Sequence, residues 1–593
     1  MPNTPRFLIT TADVRSWRDD TPILFLGEWC CWNLKKEAVG NLDAEVAPPY
    51  GWDEGQKKTE YLYVQDLVER LLLDLSQALN HHHGTSHAPR YWRIMLGTWL
   101  YKFTMIMFNR WATVHSALGK YSVSGTVVLE FPKEQLAPVD YINFARLYRF
   151  DAWNQAVYGR ILKDWSNISC VVKKVDLLDE GSVSTLQHFT PAPARTLTQQ
   201  VKRFVANRVQ KIANLLTRST DAFLIATYLP FGQECKLQLA LGQIPVPRLL
   251  QPTPKVSPDF DIRRGISLNP EGVTGFEQFI RTLIPEQLPT CYLEGYQALC
   301  EKARSMPWPA NPKFIFTSNS FDGDEVFKAW TASKVELGIP YIIGQHGANY
   351  GAGEFAPSEV HEVATADHYL TWGWEDDCVK HRPVAALTMI GKPAGKWNPQ
   401  GGVLLVERGG GHRETLWDET PAFKKYLEDQ FKFVEGLLDP VSERVTVRLY
   451  SAYLYSSWSE DLIWKNRFPQ IQLDTGVYPI SKQIRQNRLT VYSYESTGIL
   501  ESLAGNVPTL FFYDTKNWTL RPKAQPYYNR LKEVGIFHDT PESAANKVNE
   551  IWDDVQGWWV RSEVQEARRT FCDHFARMPQ HPIRVLKRAL LEK

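Results

Sequence analysis

The chain is short of the features that would place it quickly. Its eight cysteines, in 593 residues, stand at 30, 31, 170, 235, 291, 300, 378 and 572. None forms a Cys-x-x-Cys pair or a Cys/His finger, which argues against structural zinc. Cys30 and Cys31 read as buried thiols of a reducing compartment. Charge of one sign is missing too: 67 Lys and Arg against 66 Asp and Glu leave a net +1, so no nucleic-acid partner is expected. Long hydrophobic runs are absent. The best candidate, Tyr91 to Trp111, is interrupted by Arg93, Lys102 and Arg110 and falls short of the roughly 20 apolar residues a span needs. It reads as a buried helix, with peripheral attachment to a membrane left open. Met1-Pro-Asn-Thr-Pro-Arg-Phe7 has no signal-peptide core, so a cytoplasmic location is expected. There is no GxxxxGK[ST] loop, no well-placed GxGxxG and no GxSxG elbow. Kinase, classical dehydrogenase and hydrolase readings therefore lose support. Asp322-Gly-Asp324 matches a DxD metal pattern only formally; it opens a helical pattern and reads as an N-cap with an acidic first turn.

What the chain does have is aromatic and α/β in pattern. It holds 21 Trp and 25 Tyr, mostly core material but also suited to stacking on sugar rings. Early strands are expected at 6–10 and 23–26. Long helical patterns follow at 62–79, 91–117 and 141–162, with His81-His82-His83-Gly84 as a polar loop between the first two. A further amphipathic helix, rich in Lys and Arg, is expected at 196–218. From Lys313 onward, strands at 313–317, 340–344, 368–372, 386–390, 403–407, 444–450, 489–494 and 509–513 alternate with helices, which predicts parallel sheets covered on both faces. Turn formers cluster between Gly391 and Gly402. The fold class is thus α/β, with two Rossmann-like domains facing a cleft. Residues 1–395 are expected to form an N-terminal domain with helical insertions, 396–560 a second Rossmann-like domain, and 561–593 helices able to pack back on the first domain.

Ligands of open α/β sheets lie beyond the carboxyl ends of the strands. The polar residues at those ends are Glu28, Asn319, Gln345 with His346 and Gly347, Arg408 with Gly409-Gly410-Gly411-His412, Arg448, and Glu495-Ser496-Thr497-Gly498. Hydroxyls and backbone N–H groups at a helix N-terminus make an anion site, and arginines add charge-assisted bonds to phosphate or carboxylate. Ser496 and Thr497 also suit a plain helix cap, and Arg448 an ordinary surface ion pair. Glu28 ends an apolar strand in a partly apolar setting that favours proton transfer. It is the expected catalytic carboxylate, as base or nucleophile, with Asp151 in reserve. His346 is placed to orient an acceptor hydroxyl or to donate to a leaving phosphate.

A His-Gly loop in one α/β half and a Ser-Thr-Gly cap in the other resemble a GT-B glycosyltransferase. At motif level, Phe25-Leu-Gly-Glu-Trp-Cys30, Tyr91-Trp-Arg93 with Gly97, Trp153-Asn154, Phe327-Lys-Ala-Trp330, and Gly344-Gln-His-Gly347 with Tyr350-Gly351 resemble a family of bacterial transferases encoded among surface-polysaccharide genes. More distantly, Gln345-His346-Gly347 and Tyr494-Glu-Ser-Thr-Gly498 are similar to loops of capsule and teichoic-acid polymer enzymes that use cytidine nucleotides, CMP-Kdo among them. The chain departs from these at Arg448, where a His-Pro pair commonly follows the strand, and at Gln155, where a His is expected. The resemblance implies an acidic sugar, Kdo-like, carried on CMP. The acceptor it implies is an oligosaccharide or lipid-linked glycan at the inner face of the inner membrane. No metal or other cofactor is required on this reading, because a helix N-terminus and an arginine can stabilise the departing phosphate. The residues alone do not separate CMP from UDP or GDP. A UDP-sugar enzyme such as an epimerase, or a non-catalytic glycan-binding protein of the same fold, stays open.

Overall fold

The computed structural model describes residues 4–18, 20–31, 42–51, 53–176, 217–268, 272–409, 423–450, 459–516 and 518–592. Its described residues contain three all-parallel sheets. The first holds β1 (Arg6–Ile9), β2 (Ile23–Phe25), β3 (Ala44–Val46), β4 (Val123–Glu130) and β5 (Cys170–Lys174), in the order β3-β2-β1-β4-β5. The second holds β6 (Phe223–Ile225), β7 (Ile315–Thr317), β8 (Tyr341–Gly344), β9 (His368–Thr371) and β10 (His381–Pro383), paired in simple sequence order. The third runs β13-β12-β11-β14-β15-β16, built from β11 (Val403–Val406), β12 (Val445–Arg448), β13 (Gln472–Asp474), β14 (Leu489–Tyr492), β15 (Thr509–Phe512) and β16 (Phe537–His538). Strands such as Val403–Val406 and Leu489–Tyr492 are buried at every position, as expected of a sheet covered on both faces.

The α/β class with parallel sheets is as expected. The stretch 1–395 contains two such sheets, a division the sequence pattern does not separate because the strands of the first are short and widely spaced by long helices. Helix α1 (Glu54–His83) ends on Gly84 in the left-handed region (φ 64°, ψ 37°), and helix α2 (Pro89–Lys120) starts with proline in its first turn. Most of α2 is buried. It packs on helix α3 (Asp151–Trp165), helix α4 (Glu325–Glu336) and helix α5 (Pro357–Thr365), which explains an apolar helix that is not a membrane span. Among the described residues no helix is long and apolar enough to cross a membrane.

Three local expectations change. His81 to His83 are the last turn of α1, not a loop, with His83 bonded to the Tyr292 carbonyl at 3.0 Å and its ring stacked on Tyr296. The stretch 141–162 is two helices, broken where Asn154 Nδ2 donates to the Tyr148 and Phe150 carbonyls. Residues 387–389 form a 3-10 turn instead of a strand, because the Ala386 N–H is taken by the Arg577 carbonyl, not by a neighbouring strand. The expected helix at 196–218 falls almost wholly outside the described residues.

Several quoted motifs turn out to be packing devices. A Cβ on Gly97 would lie 2.5 Å from His361, and one on Gly27 would enter the Trp29 ring. Trp29 Nε1 bonds the Thr10 carbonyl, Trp153 Nε1 bonds Gln287, and Asn154 Oδ1 accepts from buried Arg110. Gln155 takes the Thr10 and Thr11 hydroxyls at 2.8 and 2.7 Å, which gives it a structural role. After the third sheet, helix α6 (Ser562–Phe575) and helix α7 (Pro582–Leu591) return the chain to the second. The Arg577 N–H bonds the Trp372 carbonyl at 2.8 Å, and Arg382 bonds the Ala589 carbonyl at 2.6 Å.

Candidate functional site between the second and third sheets

The β8 strand ends in a loop that its own first residue ties down. Gln345 accepts from the Trp372 N–H and from Trp374 Nε1, both at 2.8 Å, and donates to the Gly347 carbonyl at 2.8 Å. It is buried, so it shapes the loop from below. His346 then sits among the rings of Tyr228, Phe321 and Tyr350. Its Nε2 lies 3.2 Å from the Tyr350 hydroxyl, and burial pushes its imidazole down to about 4. Beneath it, Glu362 of α5 is fully buried. The carboxyl accepts from the Tyr350 hydroxyl at 2.7 Å and the Tyr369 hydroxyl at 3.1 Å, with His346 Nδ1 3.8 Å away. Burial pushes the Glu362 carboxyl well above the usual range. Three non-glycine residues here have left-handed backbones: Ala226 (φ 46°), Tyr228 (φ 63°) and Asn349 (φ 72°). Such strain gathers at functional sites.

In the third sheet the strand order reverses between β11 and β14, whose register aligns Val406 with Tyr492. The crevice beyond a reversal of this kind is the ligand position of doubly wound sheets. Arg408 leaves β11 there, its N–H donating to the Tyr426 hydroxyl at 2.8 Å. On the β14 side, Ser496 caps helix α8 (Thr497–Ala504) by accepting from the Gly498 N–H at 3.1 Å. Gly498 has no room for a side chain, since a Cβ would lie 2.6 Å from the Tyr492 ring.

The two sheets meet at these loops. The Ala348 N–H donates to Thr497 Oγ1 at 3.1 Å, and the Asn349 N–H to Glu495 Oε1 at 2.9 Å. A Cβ on Gly347 would approach Thr497 Oγ1 to 3.2 Å. Further along, the Arg521 N–H bonds the Ala352 carbonyl at 2.8 Å and Arg521 pairs with Glu359 at 2.9 Å. The structure therefore brings Gln345, His346 and Gly347 together with Glu495, Thr497 and, through the cap, Ser496 and Gly498. Arg448 is not brought to the Ser496 turn. It lies two strands from Tyr492, its guanidinium pairing with Asp474 and donating to the Tyr478 carbonyl at 2.9 Å. Gly410 lies outside the described residues, as do Gly411 and His412.

The first sheet approaches the third through Glu28. Glu28 begins a short 3-10 turn at the end of β2 and faces Lys424 of the third-sheet helix Phe423–Glu435 at 3.7 Å. Partial burial pushes its carboxyl up, and Lys424 opposes the shift. Asp151 begins α3 close enough to Cys30 to disfavour its thiolate. It therefore lies beside the Glu28 turn.

Tyr228, Tyr350, Glu362 and Lys424 were missed from the sequence. Tyr350 had a signal, its place four residues after His346. Lys424 had none, because its partner Glu28 lies far away in the chain, and Glu362 had none, because its partners Tyr350 and Tyr369 follow no local spacing that marks a buried carboxyl. Asp324 caps α4 by accepting from the Phe327 N–H at 3.0 Å, as expected of the Asp-Gly-Asp run. Asp376, Cys378 and His381 place ligand atoms within 4.8 Å of one another. His381 Nδ1 is only 2.5 Å from Asp376 Oδ1. Ligands sharing one zinc stand about 3.3 Å apart at bond lengths near 2 Å, so this trio is a hydrogen-bonded turn.

A family model described as LIC12162 family transferase matches residues 6–590. Among solved structures, the chain is similar to the wall teichoic acid polymerase TagF in a variant soaked with CDPG, at 10% identity over 69% of this chain and 97% of that one, with a TM-score of 0.31. It is similar to MurG of Acinetobacter baumannii at 13% identity over 50% and 77% of the two chains, TM-score 0.30. It is also similar to the spinosyn rhamnosyltransferase SpnG complexed with spinosyn aglycone, at 15% identity over 50% and 76%, TM-score 0.29. Likeness at this level carries nothing about substrate or residue roles. No curated protein matches the chain.

Proposed function

The chain belongs to the LIC12162 family of transferases, and from that premise we propose that it is a GT-B glycosyltransferase moving an acidic sugar, Kdo or a Kdo-like acid carried on CMP, onto a bacterial surface glycan. The observation that carries this reading is the meeting of the His346-Gly347 loop with Glu495 and Thr497 beyond the strand reversal of the third sheet. A nucleotide phosphate fits there against the start of α8, where the helix dipole favours an anion. Thr497 and Ser496 each accept one backbone bond and keep a hydroxyl proton for a phosphate oxygen. Arg408, at the same crevice, is the cation of this site. Arg448, held on Asp474, is left outside it.

On this reading residues 1–395 form the acceptor side, 396–560 the donor side, and 561–593 the crossing back. Glu28 takes the proton of the acceptor hydroxyl as it attacks the anomeric carbon, and Lys424 steadies the carboxylate from across the cleft. Asp151 is the reserve carboxylate. His346 gives a proton to the departing phosphate. No metal enters the scheme, and the protein works in the cytoplasm at the inner membrane face. The test is the purified protein with a panel of CMP- and UDP-sugars, reading nucleotide release and the product anomer by NMR. CMP at a hundred times its Kd should stabilise the fold by about 2.7 kcal/mol. Release of UDP alone would move the donor to a UDP-sugar, and the absence of stabilisation by any nucleotide would favour a glycan-binding protein.

A further inference from the structure

A donor to the leaving phosphate must carry a proton at neutral pH. His346 by itself is a weak acid, with one N–H to give, since burial among Tyr228, Phe321 and Tyr350 holds its imidazole neutral down to about pH 4. The carboxyl below it has the opposite problem. Glu362 is 1% exposed and meets only tyrosine hydroxyls and His346. Among the described residues no Lys or Arg pairs with it. Acidic groups face it from two sides, Asp322 after β7 and Glu359 on its own helix, and both oppose ionisation. The Glu359 charge is met by Arg521 instead. The remaining titratable neighbours are Tyr341 on β8, Tyr369 on β9, Tyr228 after β6, and Tyr101 on α2 by way of Tyr350. Lys102 and Lys328 act on Asp322. A buried carboxyl with no counter-ion keeps its proton.

We propose that Glu362 is a positioning residue and proton reservoir for His346, the two sharing one proton through the hydroxyl of Tyr350. The hydroxyl lies 2.7 Å from Glu362 Oε1 and 3.2 Å from His346 Nε2, within hydrogen-bond reach of both. The Glu362 carboxyl passes its proton to the Tyr350 oxygen as the tyrosine proton moves to Nδ1, the ring nitrogen on the Glu362 side and 3.4 Å from that oxygen. The proton on Nε2 goes to the phosphate oxygen as the bond from that oxygen to the sugar breaks. Glu362 ends as carboxylate, Tyr350 and the imidazole end neutral, and the phosphate carries the proton. The acceptor proton taken up at Glu28 leaves separately to solvent. Tyr369 holds the second carboxyl oxygen at 3.1 Å and fixes the group in place.

This inference rests on the glycosyl-transfer reading for its kinetic test but not for its spectroscopic one. Glu362→Gln keeps the shape, its amide oxygen accepting from one tyrosine and its amide nitrogen donating to the other, but it has no acidic proton to give. Its kcat at neutral pH should fall about a hundredfold or more with KM unchanged, and the remaining activity should rise as pH falls toward the imidazole's own range. Tyr350→Phe, which breaks only the relay, should give the same loss and the same displaced pH profile. In difference infrared spectra at neutral pH the parent should show the carbonyl stretch of a protonated carboxyl that Glu362→Gln lacks. Parental kcat and pH profile in both variants, or no such band in the parent, would overturn the proposal. A parent that shows the band but turns over no nucleotide sugar would overturn the transfer reading and leave the protonated carboxyl standing.

Discussion

Glu325 and Glu362 are both fully buried in the layers around the second sheet, and each accepts a tyrosine hydroxyl at 2.7 Å. They differ in their cations. Lys328, one helical turn after Glu325, sets its ammonium 2.8 Å from that carboxyl, and the same ammonium donates to the Tyr292 hydroxyl at 2.9 Å. Glu362 has only tyrosines and a neutral histidine. A buried carboxylate closed by a lysine is locked in one state and serves the fold. A buried carboxyl without one is free to change protonation and can serve chemistry.

The comparison can be broken first at its locked end. Lys328→Met leaves an uncompensated buried carboxyl and should lower stability by about 3–5 kcal/mol, read from urea unfolding. A loss under about 1 kcal/mol would mean the pair is not a lock. The third carboxyl to set beside these two is Glu28, half-buried and facing Lys424 at 3.7 Å. Glu28→Gln should keep CMP binding yet lose turnover by about a hundredfold or more. Parental turnover would make Glu28 structural and pass its role to Asp151.

The histidine beside Glu362 sharpens the contrast through pH. His83 and His346 are lowered to about 4 and His361 to about 3, each chiefly by burial. A depressed folded value means stability present above the unfolded value of about 6.5 and lost as pH falls toward the folded one. Each such histidine should add a slope of about 1.4 kcal/mol per pH unit within that window, and His361→Gln should remove one share of it. Glu362 has the reverse sign. Its raised folded value gives stability present below about pH 4.5 and lost as pH rises through the folded value, and Glu362→Gln should abolish that loss. The same variant should cost no more than about 1.5 kcal/mol at neutral pH, the worth of one altered hydrogen bond; a cost as large as that of Lys328→Met would erase the distinction. The smallest effect is expected on the cationic side. With Arg448 held by Asp474 and the Tyr478 carbonyl, Arg448→Ala should change CMP affinity by less than about 0.5 kcal/mol, whereas a loss of 1.5–3 kcal/mol would place it on the phosphate.

Much of this was legible in the order of residues. Apolar runs such as Val403–Val406 and Leu489–Tyr492 and the turn formers after them mark parallel strands and their ends, because period and turn chemistry act over a few residues. Ser496 as a helix cap and Asp324 as another follow from the same local rules. His346 between Gln345 and Gly347 stood out as a polar group at a strand end, and it proves partly buried, with its imidazole depressed for that reason.

What could not be read there is which distant groups share one spot. That Thr497 receives the Ala348 N–H, that Glu28 faces Lys424, that Arg448 is taken by Asp474, and that Gly97 makes room for His361 depend on how three sheets and α2 pack. Whether a carboxyl is a lock or a reservoir depends on the same packing. Glu325 meets its lysine three residues away on one helix face, while Glu362 is desolvated by elements from across the chain. Local pattern sets the elements because their hydrogen bonds are local. The charge state of a buried group is set by everything within a few ångströms, and only the tertiary fold chooses those neighbours.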